Sequence, residues 1–261
     1  MHLNRTALVT GAAQGVGLTT ATLLAQQGYR VILTDLQPLD TPLAALRAAG
    51  HTVAGLSGDV SAEAFVQTLA AYVAEHHGAL DVLVNNAGIS CILPAEDTTA
   101  EQWQRVMNVN LLGPFLLCKY LGGQMLQRRL GSIVNVASIA GLRGVSHRSA
   151  YNASKHGLIG LTHTLAAEWG GRGVRVNAVC PGWIKTEMDE ADQGPGNYSD
   201  ADIMNRVPMA RFASPQDVAA AIAYLADPTV SGFINGVSLP VDGGWLADAS
   251  WDTLRLRTRE A

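Results

Sequence analysis

The sequence predicts an α/β fold in which a doubly wound parallel sheet of about seven strands carries helices on both faces. Seven short apolar segments alternate with longer segments of helical periodicity. Apolar residues make up 48% of the 261 residues and charged residues only 15%, so the chain can bury a large core. No linker, repeat or low-complexity tract interrupts the alternation. We therefore expect a single domain over 1–261.

The short apolar segments are the predicted strands. They span 5–10, 29–35, 51–57, 81–85, 132–138, 174–180 and 237–242. The predicted helices run from the first glycine turn to about 27, over 39–49, from Ser61 as N-cap to about 77, and over 99–129, 150–170 and 214–226. The helix over 99–129 should be interrupted near Asn108–Asn110. An asparagine inside a long apolar helix needs a partner, so it is expected either to bond a kinked backbone or to position a water.

Charge, apolar run length and cysteine count exclude several classes of protein. The net charge of −4 without a basic run argues against nucleic acid as a main partner. No apolar run reaches the length of about 18 residues that a membrane span requires. The three cysteines form no C-x-x-C pair, so neither a disulfide framework nor a zinc site is indicated. Cys118 and Cys180 lie in apolar runs and are interpreted as core residues. Because the chain enters a strand at once, we expect a cytoplasmic protein without a signal peptide.

A glycine-rich turn joins the first strand to the first helix. It comprises Gly11, Gln14, Gly15, Val16 and Gly17. Glycines there let backbone amides approach a diphosphate, and the helix N-terminus adds a favourable dipole. The spacing is G-x-x-x-G-x-G rather than the commoner G-x-G-x-x-G, so the turn alone is weak evidence for a dinucleotide site.

The second strand ends in an acid, Asp35, which lies 18 residues past Gly17. A carboxylate in that place suits the hydroxyl pair of an adenosine ribose. The next residue is Leu36 rather than Arg or Lys, so nothing there would neutralise a 2′-phosphate. The sequence therefore favours NAD over NADP. Asp59 and Val60, at the exit of the third strand, are placed to touch an adenine edge.

Three polar residues follow the fifth strand in a pattern that suits proton transfer. Ser138 ends that strand, and Tyr151 and Lys155 lie four apart at the start of the next helix, on one face. A nearby cation lowers the pKa of a phenol, which can then exchange a proton with an alcohol or a carbonyl. Ser138 can hold and polarise the substrate oxygen.

Two segments near the end of the chain break the alternation. The segment 187–213 contains six acids, and after a strand's carboxyl end it is predicted to be a substrate lid or specificity loop. The tail over 245–261 shows no clear strand or long helix. Its apolar residues are expected to pack on a neighbouring subunit.

Taken together and in order, these motifs resemble the short-chain dehydrogenase/reductase family from about Thr6 to Gly244. The matching segments are Thr10–Gly17, Asp59-Val60, Asn85–Gly88, Asn110, Ser138, Tyr151-x-x-x-Lys155, Pro181-Gly182 and Val241–Gly244. The resemblance implies a Rossmann-like fold and a nicotinamide cofactor, and the glycine spacing is the one that this family uses.

The resemblance also implies a role for each matching residue. Tyr151 would be the general acid/base, and Ser138 would orient the substrate oxygen. Lys155 would bind the nicotinamide ribose and lower the Tyr151 pKa. Asn110 would hold a water that links Lys155 to solvent. The residues expected to contact the cofactor are Gly11, Gln14, Gly15, Val16, Gly17, Asp35, Leu36, Asp59, Val60, Asn86, Ala87, Gly88, Tyr151, Lys155, Pro181, Gly182, Ile184 and Thr186. In relatives the helices over about 99–129 and 150–170 form the main tetramer interface, so a homotetramer is expected.

The substrate is less defined by the sequence. Candidate contacts are Ser138, Tyr151, Trp183 as an apolar wall, and Arg143 and His147 (with Arg148 beside them) for polar or anionic groups. His147, four residues before Tyr151, is expected either to face the cleft or to be a loop residue that points to water. We expect an NAD-dependent dehydrogenase of a secondary alcohol, with a sugar, a polyol or a cyclic alcohol as substrate. The alternatives are an NADPH-dependent ketoreductase of 3-oxoacyl thioesters and a non-catalytic NAD-binding regulator.

Overall fold

A seven-stranded parallel sheet in the order β3-β2-β1-β4-β5-β6-β7 forms the centre of the molecule. The structure, a computed structural model, describes residues 5–185, 199–251 and 254. The strands are β1 Thr6–Thr10, β2 Arg30–Asp35, β3 Val53–Ser57, β4 Val82–Asn85, β5 Gly131–Val136, β6 Val174–Pro181 and β7 Ser238–Val241. All seven predicted strands are present, each within two residues of its predicted bounds.

Helices connect the strands. They are α1 Gly15–Gln26, α2 Asp40–Ala48, α3 Glu63–His77, α4 Ala100–Met107, α5 Gly113–Leu117, α6 Gly123–Arg128, α7 Ser149–Trp169, α8 Asp200–Arg206, α9 Pro215–Ala226 and α10 Pro228–Ser231. Short 3₁₀ turns lie at Ala95–Asp97, Ile139–Gly141 and Gly170–Arg172. Among the described residues, no helix combines the length and the apolar character needed to cross a bilayer.

Each strand of the sheet centre buries both of its faces, which explains why these strands are continuous apolar runs. In β1, for example, Ala7 and Val9 pack into one core cluster, whereas Leu8 packs into a second cluster. The first cluster takes side chains from α1, α2 and α9, and the second takes them from α3, α5, α6 and α7. This confirms the predicted sheet with helices on both faces. A single domain over 1–261 stays a prediction, because 1–4, 186–198 and most of 252–261 lie outside the described residues.

The helix predicted over 99–129 is broken in two places. Segments Asn108–Leu112 and Cys118–Gly122 are π-helical, and they divide the region into α4, α5 and α6. The interruption near Asn108–Asn110 is therefore confirmed, whereas the sequence does not predict the second break.

The predicted N-cap of α3 is wrong. The helix begins at Glu63 with Ala62 at the N-cap position and no side-chain cap. Ser61 instead donates two hydrogen bonds to Asp59 Oδ1, from its N–H at 2.8 Å and from its hydroxyl at 2.7 Å. Ser61 is thus bonded to the Asp59 carboxylate in a tight turn before the helix starts, and its hydroxyl does not cap α3.

The described part of the predicted lid, 199–213, contains α8, and residues 187–198 lie outside the described residues. Ser199 caps α8 and exchanges hydrogen bonds with Asp202. The guanidinium of Arg206 lies 4.8 Å from the Trp245 ring, so the start of the tail packs on α8 of its own chain. Packing of the tail on a neighbouring subunit stays a prediction.

The turn between α7 and β6 offers a test of the packing. Gly173 has φ +84°, and a Cβ there would overlap the carbonyl oxygen of Arg129. Left-handed backbone alone costs a residue with a Cβ roughly 1–2 kcal/mol. We expect Gly173→Ala to lower the free energy of unfolding by about 2 kcal/mol or more, and the Tm by at least about 4 °C.

The matched control is Gly171→Ala, because a Cβ at Gly171 meets nothing within 4 Å. This variant should unfold at the temperature of the unaltered protein in a calorimetric scan. Equal midpoints for the two variants would contradict the packing described here.

Candidate active site

A cleft of about 860 Å³ opens at the carboxyl ends of the strands, in the size range of small-molecule sites. The sheet reverses its direction of growth between β1 and β4, and ligands of such sheets bind at that crevice. Most of the predicted site residues line this one cleft. They are Gly11, Gln14, Gly15, Val16, Asp35, Leu36, Asp59, Val60, Asn86, Ala87, Gly88, Ser138, Tyr151, Lys155, Pro181, Gly182, Trp183 and Ile184.

Three predicted cofactor or catalytic residues are not among these lining residues. Thr186 lies outside the described residues. Gly17 packs beneath the turn, where a Cβ would overlap the carbonyl oxygen of Gly11. Asn110 is fully buried. Gly17 and Asn110 therefore support the walls of the cleft from behind.

Arg143 and His147, predicted to contact substrate, are exposed and lie outside the cleft. Of the two alternatives for His147, the structure has the exposed loop residue, because α7 begins only at Ser149. His147 has φ +61°, and its carbonyl accepts a hydrogen bond from the Leu93 N–H at 2.9 Å. The left-handed turn at His147 comes before α7, and it is the next residue, Arg148, that lines the cleft.

Hydrogen bonds tie the loops after β1 and β4 together beside the glycine turn. Thr10 Oγ1 accepts hydrogen bonds from the N–H groups of Asn86 and Ala87, at 3.0 and 2.9 Å. The Asn86 side chain returns a bond to the Thr10 carbonyl at 2.9 Å and a second to the Gly11 carbonyl at 3.1 Å. Helix α1 begins here without a side-chain cap and without an acid in its first turn, so its N-terminus suits an anion.

The carboxylate of Asp35 is held rigidly at the end of β2. Its Oδ2 accepts from the Ala13 N–H and its Oδ1 from the Gln37 N–H, both at 2.9 Å. The neighbouring Leu36 is 72% exposed. Among the described residues, the cleft takes no Lys or Arg from the loops after β1, β2 and β3. A fixed negative charge, with no cation from these three loops beside it, therefore marks this end.

Lys155 lies at the opposite end, in the second turn of α7. It is only 4% exposed, and its Nζ donates a hydrogen bond of 2.8 Å to the Val136 carbonyl. The Nζ lies 5.6 Å from the centre of the Tyr151 ring. Burial disfavours the charged form and lowers the pKa of the Lys155 ammonium to about 8. The side chain therefore sits where a small change of environment decides its charge.

Ser138 and Tyr151 line the cleft together with the Lys155 ammonium. Ser138 has extended backbone, and its Oγ accepts a hydrogen bond of 3.1 Å from the Ala140 N–H, which starts a short 3₁₀ turn. Tyr151 lies half-buried in the first turn of α7. The structure thus brings together the hydroxyl, phenol and ammonium groups that the sequence pattern predicted.

Asn110 has the backbone partner that the sequence offered as one of two alternatives. Its Oδ1 accepts from the Ile89 N–H and its Nδ2 donates to the Ile89 carbonyl, both at 2.9 Å. Nδ2 also donates to Ser154 Oγ at 3.1 Å, and Ser154 in turn donates to the Tyr151 carbonyl at 2.7 Å. The π-helical segment thereby ties the loop after β4 to α7. A water held by Asn110 stays a prediction.

One wall of the cleft was missed by sequence reasoning. Glu101, Gln104, Arg105 and Asn108 of α4 and its extension line it. These residues recur at intervals of three and four, the spacing of one helix face, which is the signal that could have found them. In the described part of the chain, no group of three or more His, Cys, Asp and Glu residues is arranged to hold a metal ion.

Comparison with known proteins places this geometry in a family. Residues 11–246 match the family model described as Enoyl-(Acyl carrier protein) reductase. The D-threitol dehydrogenase of Mycolicibacterium smegmatis is 41% identical over 244 residues, which cover 92% of each chain. The 3-oxoacyl-[acyl-carrier-protein] reductase of Synechocystis is 37% identical over 241 residues, covering 91% of this chain and 95% of that protein.

Solved structures show the same likeness. A variant of actinorhodin polyketide ketoreductase, crystallised with NADPH, superposes with a TM-score of 0.88 at 38% identity, covering 94% of this chain and 99% of that one. Shared sequence over nearly the full length, the seven-stranded sheet and the cleft lead to one conclusion. The chain belongs to the short-chain dehydrogenase/reductase family, and it is an oxidoreductase of alcohols and ketones.

Proposed function

We propose that this protein is an NAD-dependent dehydrogenase of secondary alcohols (sugars, polyols or cyclic alcohols) and, in reverse, a reductase of the matching ketones. The observation that carries the proposal is a single cleft with Asp35 at one end and Ser138, Tyr151 and Lys155 at the other. Because an enzyme of this kind needs a dinucleotide and an alcohol side by side, one continuous cleft suits both.

The residues present fit a nicotinamide dinucleotide. The uncapped N-terminus of α1 and the glycine turn suit its diphosphate. Asp35 is placed to accept hydrogen bonds from the adenosine ribose hydroxyls. At the far end, a Cβ on Gly88 would lie 3.5 Å from Lys155 Nζ, so glycine leaves room beside the ammonium. When bound, the nicotinamide ring supplies the hydride chemistry.

NAD is favoured over NADP by the electrostatics of the Asp35 end. A 2′-phosphate would face the Asp35 carboxylate, which is fixed by two backbone N–H groups and cannot swing away without breaking them. Like charges placed together cost up to several kcal/mol, so a 2′-phosphate would be disfavoured there. Leu36 offers no compensating charge.

Proton transfer is assigned to Tyr151. In alcohol oxidation its phenolate oxygen accepts the hydroxyl proton of the substrate, and in ketone reduction the phenol returns a proton to the same oxygen. The Lys155 ammonium favours the phenolate electrostatically. The Ser138 hydroxyl donates a hydrogen bond to the substrate oxygen and holds it beside the phenol. Asn110 is a positioning residue, since it acts through Ile89 and Ser154.

The substrate end of the cleft has an apolar wall. Ile139, Val145 and Trp183 line it together with Tyr151. Such a wall suits the carbon face of a sugar or a ring. The similarity to D-threitol dehydrogenase supports a polyol. The similarity to a 3-oxoacyl reductase keeps a second candidate, reduction of 3-oxoacyl thioesters with NADPH, which Asp35 disfavours.

A homotetramer remains our proposal for the assembly. Trp103, Leu112 and Phe115 are large apolar side chains that are exposed on α4, its π-helical extension and α5. These residues lie in the region that the family resemblance assigns to the main interface. Burial of this surface against another copy would remove its apolar side chains from water.

The cofactor preference gives the first test. Initial rates at 340 nm are measured with NAD and NADP against D-threitol, other polyols, aldoses, cyclic and aromatic secondary alcohols, and a 3-hydroxyacyl thioester. We expect the best alcohol to give a kcat/KM with NAD at least about tenfold above that with NADP, a difference of about 1.4 kcal/mol.

The Asp35→Ala/Leu36→Arg variant should move this ratio towards NADP. An unchanged ratio would place the ribose contact elsewhere. Higher activity with NADP and the 3-hydroxyacyl thioester, the reverse of thioester reduction, would favour the second candidate.

The assignment of Tyr151 is tested by removing its hydroxyl. Tyr151→Phe should lower kcat by a factor of about 10² to 10⁴, the usual size of a general acid/base contribution. NAD should still bind, since the diphosphate and Asp35 ends are untouched, and calorimetry measures that affinity. A variant that keeps its turnover would remove Tyr151 from proton transfer.

The buried ammonium of Lys155 makes stability depend on pH. Because burial lowers the pKa of the Lys155 ammonium from 10.5 to about 8, the buried charge destabilises the folded protein below pH 8. That cost is relieved as the pH rises towards 10.5, where the unfolded chain also loses the proton. Lys155→Met lacks the charge, so its free energy of unfolding relative to that of the unaltered protein should fall by about 3 kcal/mol between pH 7 and pH 10.5, as measured by urea unfolding.

The control for this experiment is Lys119→Met. Lys119 is exposed and bonded to Glu63, which raises the pKa of its ammonium rather than lowering it. The free energy of unfolding of Lys119→Met relative to the unaltered protein should therefore not fall between pH 7 and pH 10.5. If the corresponding difference for Lys155→Met also stays constant across this pH range, the buried charge is contradicted.

A further inference from the structure

Arg148 places a second cation beside the reacting end of the cleft. It is the last residue before α7, is only 9% exposed, and lines the cleft. Its guanidinium carbon lies 6.0 Å from the centre of the Tyr151 ring and 5.5 Å from the Trp183 ring. The proton-transfer chemistry assigned above uses Tyr151 and Lys155 but leaves this guanidinium without a role.

The guanidinium is held by elements from three parts of the chain. Its Nη1 donates a hydrogen bond of 3.1 Å to Ser90 Oγ, in the loop after β4. Its backbone pairs with Leu93 as an isolated bridge, and its carbonyl accepts from the Asn152 N–H at 2.8 Å in the first turn of α7. Trp183, after β6, provides the aromatic surface. A guanidinium fixed in this way loses little further conformational freedom when it binds a ligand.

Asp35 and Arg148 lie far apart in the cleft, whose α4 wall also carries Glu101 and Arg105. Asp35 and Asp59 line the end formed by the loops after β2 and β3. The strand order separates β2 from β5 by three strand spacings, roughly 14 Å. Arg148 lies at the other end, beside Tyr151. An anionic group on a substrate would therefore meet a cation at the reacting end and would be far from the carboxylate of Asp35.

We propose that Arg148 binds a carboxylate of the substrate, so that the protein acts on hydroxy acids and the matching oxo acids. The inference rests on the proposed function and names the substrate class for that same site. A planar guanidinium matches a carboxylate with two parallel hydrogen bonds, which gives orientation as well as affinity. The guanidinium carbon lies 6.0 Å from the centre of the Tyr151 ring, so a short substrate whose carboxylate binds Arg148 can reach Tyr151 with its carbinol carbon.

The first experiment measures binding without turnover. Cyclohexanecarboxylate and cyclohexanecarboxamide have the same shape and no hydroxyl to oxidise, and calorimetry gives their affinities for the NAD-saturated protein. We expect the acid to bind about 10- to 100-fold more tightly than the amide, as for a hydrogen bond to a charged group. Arg148→Gln should remove this preference and Arg148→Lys should keep part of it. NAD affinity and thermal unfolding report whether each variant is folded.

The matched control is Arg143→Gln. Arg143 carries the same charge in the same loop but is exposed and lies outside the cleft. This variant should keep the preference for the acid. Equal binding of acid and amide by the unaltered protein, absence of binding by the acid, or a preference that survives Arg148→Gln would each overturn the assignment.

The second experiment measures turnover with two matched pairs, cis-4-hydroxycyclohexanecarboxylate against its carboxamide and D-gluconate against D-gluconamide. For the acid that reacts, Arg148→Gln should raise KM at least tenfold and change kcat less than threefold, whereas the amide should be unaffected. Efficient turnover of an amide with no advantage for its acid would overturn the role of Arg148 and leave the proposed function standing. Acid-selective binding without turnover of any alcohol would instead count against the proposed function.

Discussion

The loops after β1 and β4 diverge at the point where the sheet reverses its growth, and one side chain holds them together. Thr10 Oγ1 receives N–H groups from two successive residues of the second loop and itself donates to the Val84 carbonyl at 3.4 Å. Asn86 completes the link from the other side. The positions of the glycine turn and of the loop that Asn110 holds both depend on these hydrogen bonds of Thr10 and Asn86. If the bonds broke, the two ends of the cleft would no longer face one bound molecule.

The two ends of the cleft differ in charge. A fixed carboxylate, Asp35, marks one end, and a buried ammonium and a buried guanidinium, Lys155 and Arg148, mark the other. Burying cations is unfavourable in the free protein, as the lowered pKa of Lys155 indicates. For Lys155, stability is therefore lost at the place where a ligand binds. Such a site is expected to prefer ligands that bring hydrogen-bond acceptors or negative charge to that end.

The sequence predicted what depends on local pattern. The strands followed from apolar runs, and Ser138, Tyr151 and Lys155 followed from a strand end and a helix spacing. What it could not predict depends on backbone geometry or on distant contacts. Arg143 and His147 lie outside the cleft, and for His147 the local reason is a left-handed turn that α7 follows only at Ser149. The second π-helical break and the α4 wall were missed because both depend on how separate segments pack. Ser61 does not cap α3 because its hydroxyl donates a hydrogen bond to the Asp59 carboxylate instead.

The π-helical segment Asn108–Leu112 has a consequence for how the chain can change in length. A π turn holds one residue more than an α turn, so loss of one residue there would restore a regular helix. Everything after it would then rotate by about 100° relative to α4. Leu116 and Leu117 would leave the core, and Asn110 would leave Ile89. Exposed loops of this protein can vary in length, but this stretch of helix must keep its surplus residue.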